Sequence, residues 1–488
     1  MLDVKGAAAS CGSAPARQRG IVAIVARSAG SRVPPGARDP SAHPGLAGRP
    51  AAAASLPGHP GARSAHPCGP QARPAIRIAP FPTCPSPAVM LIPSPEVEPL
   101  QSLLPSEPLL MMGAGPVPIP ASVAHANSIV INHLGDTIAR VIGQVKEMAR
   151  YVFQTRSPWI LGVAGPGSAA MEMGVTNLVW PGTRVLAVCN GFFSERFAEM
   201  ARRCGAEVEM LAVAPGAAAD PDAVRAALAR FRPDVLTIAQ GETSTTTFNL
   251  ALPEIARAAR EHGCQVVVDA VCTLSTTPLQ MDDWGIDAVV TGGQKGLSSI
   301  PGVSLVAFSD RAWQRITARP APPPHWCLDA RLATEFWHNA SYHYTAPVSG
   351  ILALHEALHL VVVETLEKRF ARHAGCSSAL QAGIEAMGLA LFGQPQSRLQ
   401  SVIGVQVPRG IDRKEICRHI SSRYRVEISG SFGLDIVRIG QMGEQCRAHH
   451  LFRTLHAFGS TMKTLGAPVD LPRGMAEMER CLQDGAEG

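Results

Sequence analysis

Two ionisable residues, Asp269 and Lys295, stand at the ends of two apolar runs of the chain. Asp269 follows Gln265-Val-Val-Val268, and Lys295 lies in Thr291-Gly-Gly-Gln-Lys-Gly-Leu297, directly after the run 287–290. Because ligands bind beyond the carboxyl ends of the strands in an open α/β sheet, we expect both groups at one site. A lysine among small residues there suits covalent attachment of a carbonyl cofactor. Considered alone, Lys295 is also consistent with a lysine on an ordinary surface loop.

A glycine-rich turn, Ala164-Gly-Pro-Gly-Ser-Ala-Ala-Met-Glu172, joins a predicted strand to a predicted helix. The backbone N–H groups near Gly167 and the hydroxyl of Ser168 predict an anion site at the helix N-terminus. The turn lacks the three spaced glycines and the later acidic residue of a dinucleotide-binding fingerprint, and no Gly-Lys-Ser/Thr of a Walker A loop follows. Taken alone, the turn is also consistent with ordinary loop geometry.

Two further segments supply an aromatic ring and hydroxyl groups beside predicted strand ends. Asn190-Gly-Phe-Phe-Ser194 carries Phe193, and Gln240-Gly-Glu-Thr-Ser-Thr-Thr-Thr247 carries Thr243. Considered singly, Phe193 fits core packing and Thr243 fits a helix or turn cap. Together with the anion site, the carboxylate and the lysine, they match the requirements of pyridoxal 5′-phosphate. A carboxylate would keep the pyridine nitrogen protonated and a lysine would hold the aldehyde.

Strands and helices are predicted to alternate along the middle of the chain. This alternation indicates an α/β fold with a mostly parallel sheet covered on both faces. After the proline-rich passage 319–325, one long helix is predicted from about 348 to 372, and the last hundred residues read as a small α+β domain. The strands are predicted at 159–164, 184–189, 234–239, 265–270, 287–291, 303–308, 401–407, 425–429 and 435–439, and the other helices at 136–151, 167–179, 194–203, 221–231, 253–262, 376–388, 413–422 and 444–463.

Composition divides the chain into segments of different character. Residues 1–90 hold 15 of the 41 prolines and are rich in Ala, Gly and Arg, which predicts a disordered leader. A transit peptide is an alternative for this segment, and Met90 or Met111 is an alternative start. The remaining segments are predicted as an N-terminal arm (91–125), a large cofactor-binding domain (126–365), a small C-terminal domain (366–466) and a tail (467–488).

Charge and cysteine content argue against several classes of protein. Residues 1–90 carry a formal charge of +8 and the remaining 398 residues carry −3, so we expect no nucleic-acid partner. The twelve cysteines form no CxxC pair and no Cys/His cluster at zinc-finger spacing, which predicts no metal site and indicates free thiols in a reducing, cytoplasmic compartment. No apolar run reaches about eighteen residues, so we expect no membrane partner.

The sequence resembles the class V aminotransferases of fold type I, close to the alanine–glyoxylate, serine–glyoxylate and pyridoxamine–pyruvate aminotransferases. The resemblance extends from Gly113 to about Met462. It implies pyridoxal 5′-phosphate as cofactor, a homodimer with shared active sites, and ping-pong transfer of an amino group. The expected donor is alanine or serine, and the expected acceptor is glyoxylate or pyruvate. The matching segments are 151–156, 165–172, 241–245, 268–270, 293–295 and 342–348.

The resemblance also implies roles for individual residues. Lys295 resembles the Schiff-base lysine, and Asp269 resembles the partner of the pyridine nitrogen. Arg438 matches the arginine that binds the substrate carboxylate, a task for which a bidentate guanidinium is suited. The other matching positions are the phosphate-turn residues Gly167 and Ser168, the stacking residue Phe193, the hydroxyl residue Thr243, the phosphate ligand Gln294, and Tyr342 and Thr345, which in this family reach the phosphate in the neighbouring subunit.

The sequence departs from the family pattern at a few positions. Gln240 stands where histidine is usual, Thr246 stands where glycine is usual, and 275–277 replaces common glycines. These changes could reshape the substrate pocket or lower activity, so a catalytically impaired cofactor-binding scaffold is one alternative function. Pyridoxamine–pyruvate or aminoethylphosphonate transamination, and a cysteine desulfurase-like reaction that uses Cys327, are alternatives on the same scaffold.

Overall fold

The structure is a computed structural model that describes residues 95–484 of the 488-residue chain. The predicted leader, 1–90, and the alternative start at Met90 lie outside the described residues, as do the last four residues. The strands, in chain order, are β1 (Leu110–Met111), β2 (Ile160–Ala164), β3 (Arg184–Cys189), β4 (Glu207–Ala212), β5 (Val235–Ala239), β6 (Gly241–Glu242), β7 (Thr247–Phe248), β8 (Gln265–Asp269), β9 (Ala288–Val290), β10 (Val303–Phe308), β11 (Val402–Gln406), β12 (Val426–Glu427), β13 (Ser429–Gly430) and β14 (Ile436–Gly440).

The helices of residues 95–484 alternate with these strands in the large domain and surround a smaller sheet near the C-terminus. They are α1 (Leu100–Leu103), α2 (Ala121–Asn127), α3 (Asp136–Phe153), α4 (Gly167–Leu178), α5 (Phe192–Arg203), α6 (Pro221–Phe231), α7 (Leu252–Glu261), α8 (Asp310–Thr317), α9 (Ala330–Trp337), α10 (Val348–Glu364), α11 (Leu366–Ala386), α12 (Arg413–Tyr424), α13 (Ala448–Thr464) and α14 (Leu471–Asp484).

A seven-stranded sheet forms the centre of the large domain. Its order is β2-β10-β9-β8-β5-β3-β4, in which β10 runs antiparallel to both neighbours and the other pairs are parallel. Every residue of β5, β8 and β9 is buried, because helices cover both faces of a parallel sheet and no face alternates with polar residues. The predicted α/β class with a mostly parallel sheet is confirmed.

The edge strand β4 is absent from the sequence prediction. Its residues are exposed or half-buried, and Glu207 pairs in parallel with Arg184 of β3. A solvent-facing edge strand carries charged residues, so a search for apolar runs does not find it. The helices α8 and α9 are also absent from the prediction, since eight residues each give too little periodic sequence.

The pairing of β8 with β9 determines where the two ionisable residues meet. These strands are parallel, with Asp269 opposite Val290. Parallel neighbours end at the same edge of a sheet. Asp269 and the segment that leads from Val290 to Lys295 therefore start from neighbouring points.

The small domain combines a short antiparallel sheet with helices and with the N-terminal arm. Its strands lie in the order β11-β14-β13, and apolar residues of α11, α12 and α13 pack against them in one core. β1 of the arm pairs in parallel with β12, Leu110 opposite Val426. Gly440 N then donates to Met112 O at 2.8 Å, so the arm continues along the end of β14. The predicted small α+β domain is confirmed.

The single helix predicted over 348–372 is wrong, because the chain bends at Thr365. α10 and α11 meet at 87°, and Thr365 lies between them with φ of 68° and ψ of 150°. The N–H of Leu366 donates to Tyr151 Oη at 2.8 Å, which stabilises the new helix start. Apolar residues continue on both sides of the bend, so periodicity does not reveal it. No single helix between residues 95 and 484 has the length and apolar composition of a membrane span, and only this bent pair satisfies both criteria together.

The segment 467–488, described above as a tail, contains the packed helix α14, so this description is corrected. Met478 is fully buried, and Gly474 lies against Met387 and the carbonyl of Gly383. The helix therefore completes the core of the small domain. Its apolar residues in that core recur at helical spacing: Leu471, Met475, Met478 and Leu482.

We expect two glycine-to-alanine substitutions in α11 to have opposite effects. A Cβ at Gly383 would lie 2.7 Å from Leu455 Cδ2 and 2.9 Å from Gly474 O, so Gly383→Ala should destabilise the protein by about 1–3 kcal/mol. At Gly375 no atom lies within 4 Å of an added Cβ, and Gly375→Ala should stabilise it by roughly 0.5–1 kcal/mol. Urea unfolding of both variants measures this. Equal stabilities would contradict the packing of α14 on α11.

Candidate active site

A cavity of about 160 Å³ lies at the edge where β2, β3, β5, β8 and β9 end. Each strand contributes residues that follow its carboxyl end, as the α/β fold predicts. Seven of the ten residues singled out from the sequence line this cavity: Gly167, Ser168, Phe193, Thr243, Asp269, Gln294 and Lys295.

Asp269 carries a buried carboxyl group. It is 5% exposed, and its Oδ1 accepts a hydrogen bond from Val271 N at 2.7 Å. Burial raises the pKa of the Asp269 carboxyl to about 7, although the Val271 N–H group and Lys295 oppose this effect. A cation beside the carboxyl would favour its charged form. A protonated pyridine nitrogen is a cation of suitable size.

Lys295 lies beneath the N-terminal arm. Its Nζ donates to the carbonyl of Ala114, and burial lowers the pKa of the Lys295 ammonium group. A Cβ at residue 115 would lie 2.5 Å from Nζ and 2.7 Å from Cδ. Gly115, with φ of +95°, therefore allows the backbone to pass over the lysine.

The turn between β2 and α4 and the side chain of Gln294 provide donors for an anion. Gly167 and Ser168 begin α4, where backbone N–H groups have no partner within the helix. Gln294 is 8% exposed, and its Oε1 has no hydrogen-bond partner among residues 95–484. A rotation of this amide presents its N–H₂ group instead. A Cβ at Gly167 would lie 2.8 Å from Val271 Cγ2, so glycine keeps the turn open. These donors fit a phosphate group.

Phe193 is positioned by a buried carboxylate that the sequence prediction missed. Glu242 is fully buried, and its oxygens accept from Ser194 N at 2.8 Å and from Ser244 N at 3.0 Å. Its Oε1 also accepts from Phe193 N at 3.4 Å. A carboxylate is stabilised at the N-terminus of a helix, here α5. Glu242 directly precedes Thr243 in the sequence. This adjacency to a predicted site residue was the signal by which Glu242 could have been found.

Arg438 does not line the cavity but is bonded to a residue that does. It is 6% exposed, and its Nη1 donates to Thr243 O at 2.9 Å while Nε donates to Gly430 O at 2.8 Å. Burial lowers the pKa of Arg438 to about 10. Its Nη2 makes no hydrogen bond within the described range, 95–484. The guanidinium is thus fixed in place with one nitrogen left for another acceptor.

Tyr342 and Thr345 are not brought to the cavity within one chain. Both are exposed, Tyr342 by 56%, and neither lines the cavity. The buried residues His343 and Ala346 anchor the same loop. The loop therefore presents the two predicted residues outward.

The departures from the family pattern lie behind the cavity wall. Thr246 is 2% exposed with φ of 49°, a left-handed conformation that glycine adopts more easily. Its carbonyl accepts from Leu399 N at 2.9 Å. Gln240 Nε2 donates to Pro278 O at 2.8 Å. Neither residue lines the cavity, so both act through packing.

Two other residues near the cavity escaped the sequence prediction. Cys272 lines the cavity, and its Sγ donates to Gly241 O at 3.1 Å. Arg196 Nη1 donates to Ser168 Oγ at 3.0 Å. Arg196 follows Phe193 by three positions, so helical spacing alone places both on one face.

Comparisons with known proteins identify the family to which this fold belongs. The family described as Aminotransferase class-V matches residues 121–448. The chain is 34% identical to alanine–glyoxylate aminotransferase of Oryctolagus cuniculus over 343 residues, which is 68% of this chain and 87% of that protein. Ureidoglycine–glyoxylate aminotransferase from Bacillus subtilis has a TM-score of 0.75 at 30% identity, covering 79% of this chain and 100% of that one. Pyridoxamine–pyruvate aminotransferase from Mesorhizobium loti has a TM-score of 0.74 at 25% identity, covering 78% and 98%.

The fold and the cavity define an α/β enzyme of the pyridoxal-phosphate-dependent class. Within that class, the chain belongs to the class V aminotransferases. The predicted family, the predicted fold and the predicted aminotransferase activity are confirmed.

We expect Asp269→Asn to stabilise the cofactor-free protein in a pH-dependent way. Because the folded pKa of about 7 lies above the unfolded value, protonation of Asp269 stabilises the fold. This stability is fully present below about pH 4 and is lost as the pH rises through 7. The gain from Asp269→Asn should therefore grow between pH 5 and pH 7 and reach roughly 4 kcal/mol at most.

Urea unfolding of the cofactor-free protein across this pH range measures the gain. Asp283→Asn, at an exposed carboxyl group, is the matched control and should show no such growth. A constant gain for Asp269→Asn at all pH values would contradict the raised pKa.

Proposed function

We propose that the chain binds pyridoxal 5′-phosphate in this cavity and moves an amino group from alanine or serine to glyoxylate or pyruvate. The observation that carries the proposal is the convergence of Lys295, Asp269 and the donors of the α4 turn on one cavity. Two similar proteins are named alanine–glyoxylate aminotransferase and (S)-ureidoglycine–glyoxylate transaminase. Their names support glyoxylate as the acceptor.

Different cavity residues would bind different parts of the cofactor. Gly167, Ser168 and Gln294 would hold the phosphate group with backbone and side-chain donors. Phe193 would lie against the ring, and Thr243 would donate to the ring oxygen. Asp269 would hold the proton of the pyridine nitrogen.

Lys295 is the group that moves a proton in this proposal. Bound pyridoxal 5′-phosphate supplies an electron sink that lowers the cost of removing a proton from Cα. Lys295 Nζ takes that proton as a base and returns it as an acid. The lowered pKa of Lys295 increases the neutral amine that acts as the base.

Arg438 would bind the carboxylate that every amino acid and 2-oxo acid substrate carries. Its Nη1 and Nε hold it to the backbone at Thr243 and Gly430, and Nη2 is left to donate to the substrate. A guanidinium pair with a carboxylate is strong and directional.

The alternative reactions receive less support from the structure. Cys327, the candidate sulfur acceptor of a desulfurase, is exposed and does not line the cavity. The chain retains Lys295, Asp269 and Arg438, the three residues to which the resemblance gives these roles, and this favours transamination over an impaired scaffold. Pyridoxamine remains a second candidate donor, because a pyridoxamine–pyruvate aminotransferase is structurally similar at 25% identity.

A homodimer with shared active sites is part of the proposal. Tyr342 and Thr345 are exposed within one chain although the resemblance assigns them to a phosphate site. In a symmetric dimer, each chain would place its Tyr342 and Thr345 at the cavity of the other chain.

We expect Lys295→Ala to slow the removal of the Cα proton from the donor amino acid. Loss of a general base costs about 10²- to 10⁴-fold. Exchange of the Cα hydrogen of L-alanine in deuterated water, followed by NMR with cofactor present, measures this step directly. Lys368→Ala, at an exposed lysine of α11, is the matched control and should exchange at the rate of the unchanged protein.

A panel of donors with glyoxylate and pyruvate completes the test. Turnover with alanine or serine supports the proposed donors. Turnover with pyridoxamine alone would identify pyridoxamine as the donor instead. An unchanged protein that binds the cofactor but exchanges no donor hydrogen would refute transamination and favour the impaired scaffold.

We expect two inactive variants to restore activity when their subunits are mixed. One carries Lys295→Ala, and the other carries Tyr342→Phe together with Thr345→Ala. A mixed dimer would combine an intact Lys295 with an intact Tyr342 and Thr345 at one of its two sites. Random exchange should return about a quarter of the unchanged activity. The absence of recovery after demonstrated subunit exchange would contradict shared sites.

A further inference from the structure

The guanidinium of Arg196 lies at the phosphate end of the cavity, although the proposed reaction gives it no role. Its Nη1 donates to Ser168 Oγ at 3.0 Å. Its Cζ lies 4.8 Å from the ring centre of Phe192 and 4.9 Å from that of Phe193. Contacts of this kind between a guanidinium and aromatic rings are attractive. Arg196 is therefore held between the aromatic residues of α5 and the first turn of α4.

The bond from Arg196 orients the hydroxyl of Ser168. A hydroxyl group has one hydrogen to donate and two lone pairs that accept. Arg196 occupies a lone pair of Oγ, so the hydrogen is left to donate elsewhere. Ser168 lines the cavity, and its hydroxyl donates to no other residue between 95 and 484. The arrangement makes Ser168 a donor towards the cavity.

The phosphate end of the cavity also requires positive charge. Pro166, at the position before α4, has neither an N–H group nor a hydroxyl. The remaining donors at this end of the cavity, Gly167, Ser168 and Gln294, are all uncharged, and Asp269 contributes a carboxyl group nearby. A doubly charged phosphate binds most strongly where a guanidinium supports its ligands.

We propose that Arg196 is a positioning residue for phosphate recognition, which directs the Ser168 hydroxyl towards the cofactor phosphate and supplies the charge that the α4 turn lacks. The inference rests on the proposed binding of pyridoxal 5′-phosphate. It makes the preference for the phosphorylated cofactor over free pyridoxal depend on a residue outside the cavity lining.

The test compares the affinities of the cofactor-free protein for pyridoxal 5′-phosphate and for pyridoxal, which lacks the phosphate. Arg196→Gln should weaken binding of pyridoxal 5′-phosphate by about tenfold or more, since a charge-assisted contact is lost. Binding of pyridoxal should change less than about twofold, because the ring contacts remain. Arg196→Lys retains the charge and should recover part of the loss.

Two controls separate this role from a structural one. Arg203→Gln removes an exposed arginine of the same helix that pairs with Glu199, and should leave both affinities unchanged. The double variant Ser168→Ala with Arg196→Gln should lose less than the sum of the two single variants, because both remove the oriented Ser168 hydroxyl and only Arg196 also supplies charge. Thermal unfolding of each cofactor-free variant establishes that it is folded, and the Arg196→Lys comparison remains decisive if Arg196→Gln does not fold.

The outcomes are distinguishable. Equal losses for pyridoxal 5′-phosphate and pyridoxal in Arg196→Gln, or no loss for either, would overturn the role of Arg196 and leave the proposed function intact. Failure of the unchanged protein to bind pyridoxal 5′-phosphate would overturn the proposed function and this inference together.

Discussion

The parallel pairing of β8 with β9 is the constraint on which the rest of the site depends. It places Asp269 opposite Val290, so a carboxyl group and the segment that carries Lys295 leave the sheet at one edge. The turns after β2, β3 and β5 end at the same edge and add the anion donors, the aromatic ring and the hydroxyl. Without this common edge, the same residues would be dispersed over the molecule.

Burial around that edge changes the chemistry of its charged groups. It raises the pKa of Asp269 and lowers the pKa values of Lys295 and Arg438. Each group is held by backbone atoms: Asp269 by Val271 N, Lys295 by Ala114 O, and Arg438 by two carbonyls. Backbone partners fix a side chain without neutralising it. The site is therefore suited to a ligand that carries both a positively charged group and a negatively charged group.

The small domain and the arm each contact a residue that lines the cavity. β1 joins β12, and the arm then follows β14 to Ala114 above Lys295. Arg438 of β14 contacts Thr243 of the large domain, so Arg438 is positioned by a residue that lines the cavity. α14 packs in the core of this domain against Gly383 and Met387.

The sequence alone determined the α/β class, most strand positions and the seven cavity residues, because buried strands appear as apolar runs and residues that line a ligand-binding edge follow their ends. It did not determine the bend at Thr365, the edge strand β4 or the packing of α14, since periodicity reports burial but not direction. Nor did it reveal that Arg196 contacts Ser168, 28 positions away, or that Tyr342 and Thr345 face outward. Only the tertiary structure decided these contacts, because they arise where separate elements pack together and no local pattern encodes the partner.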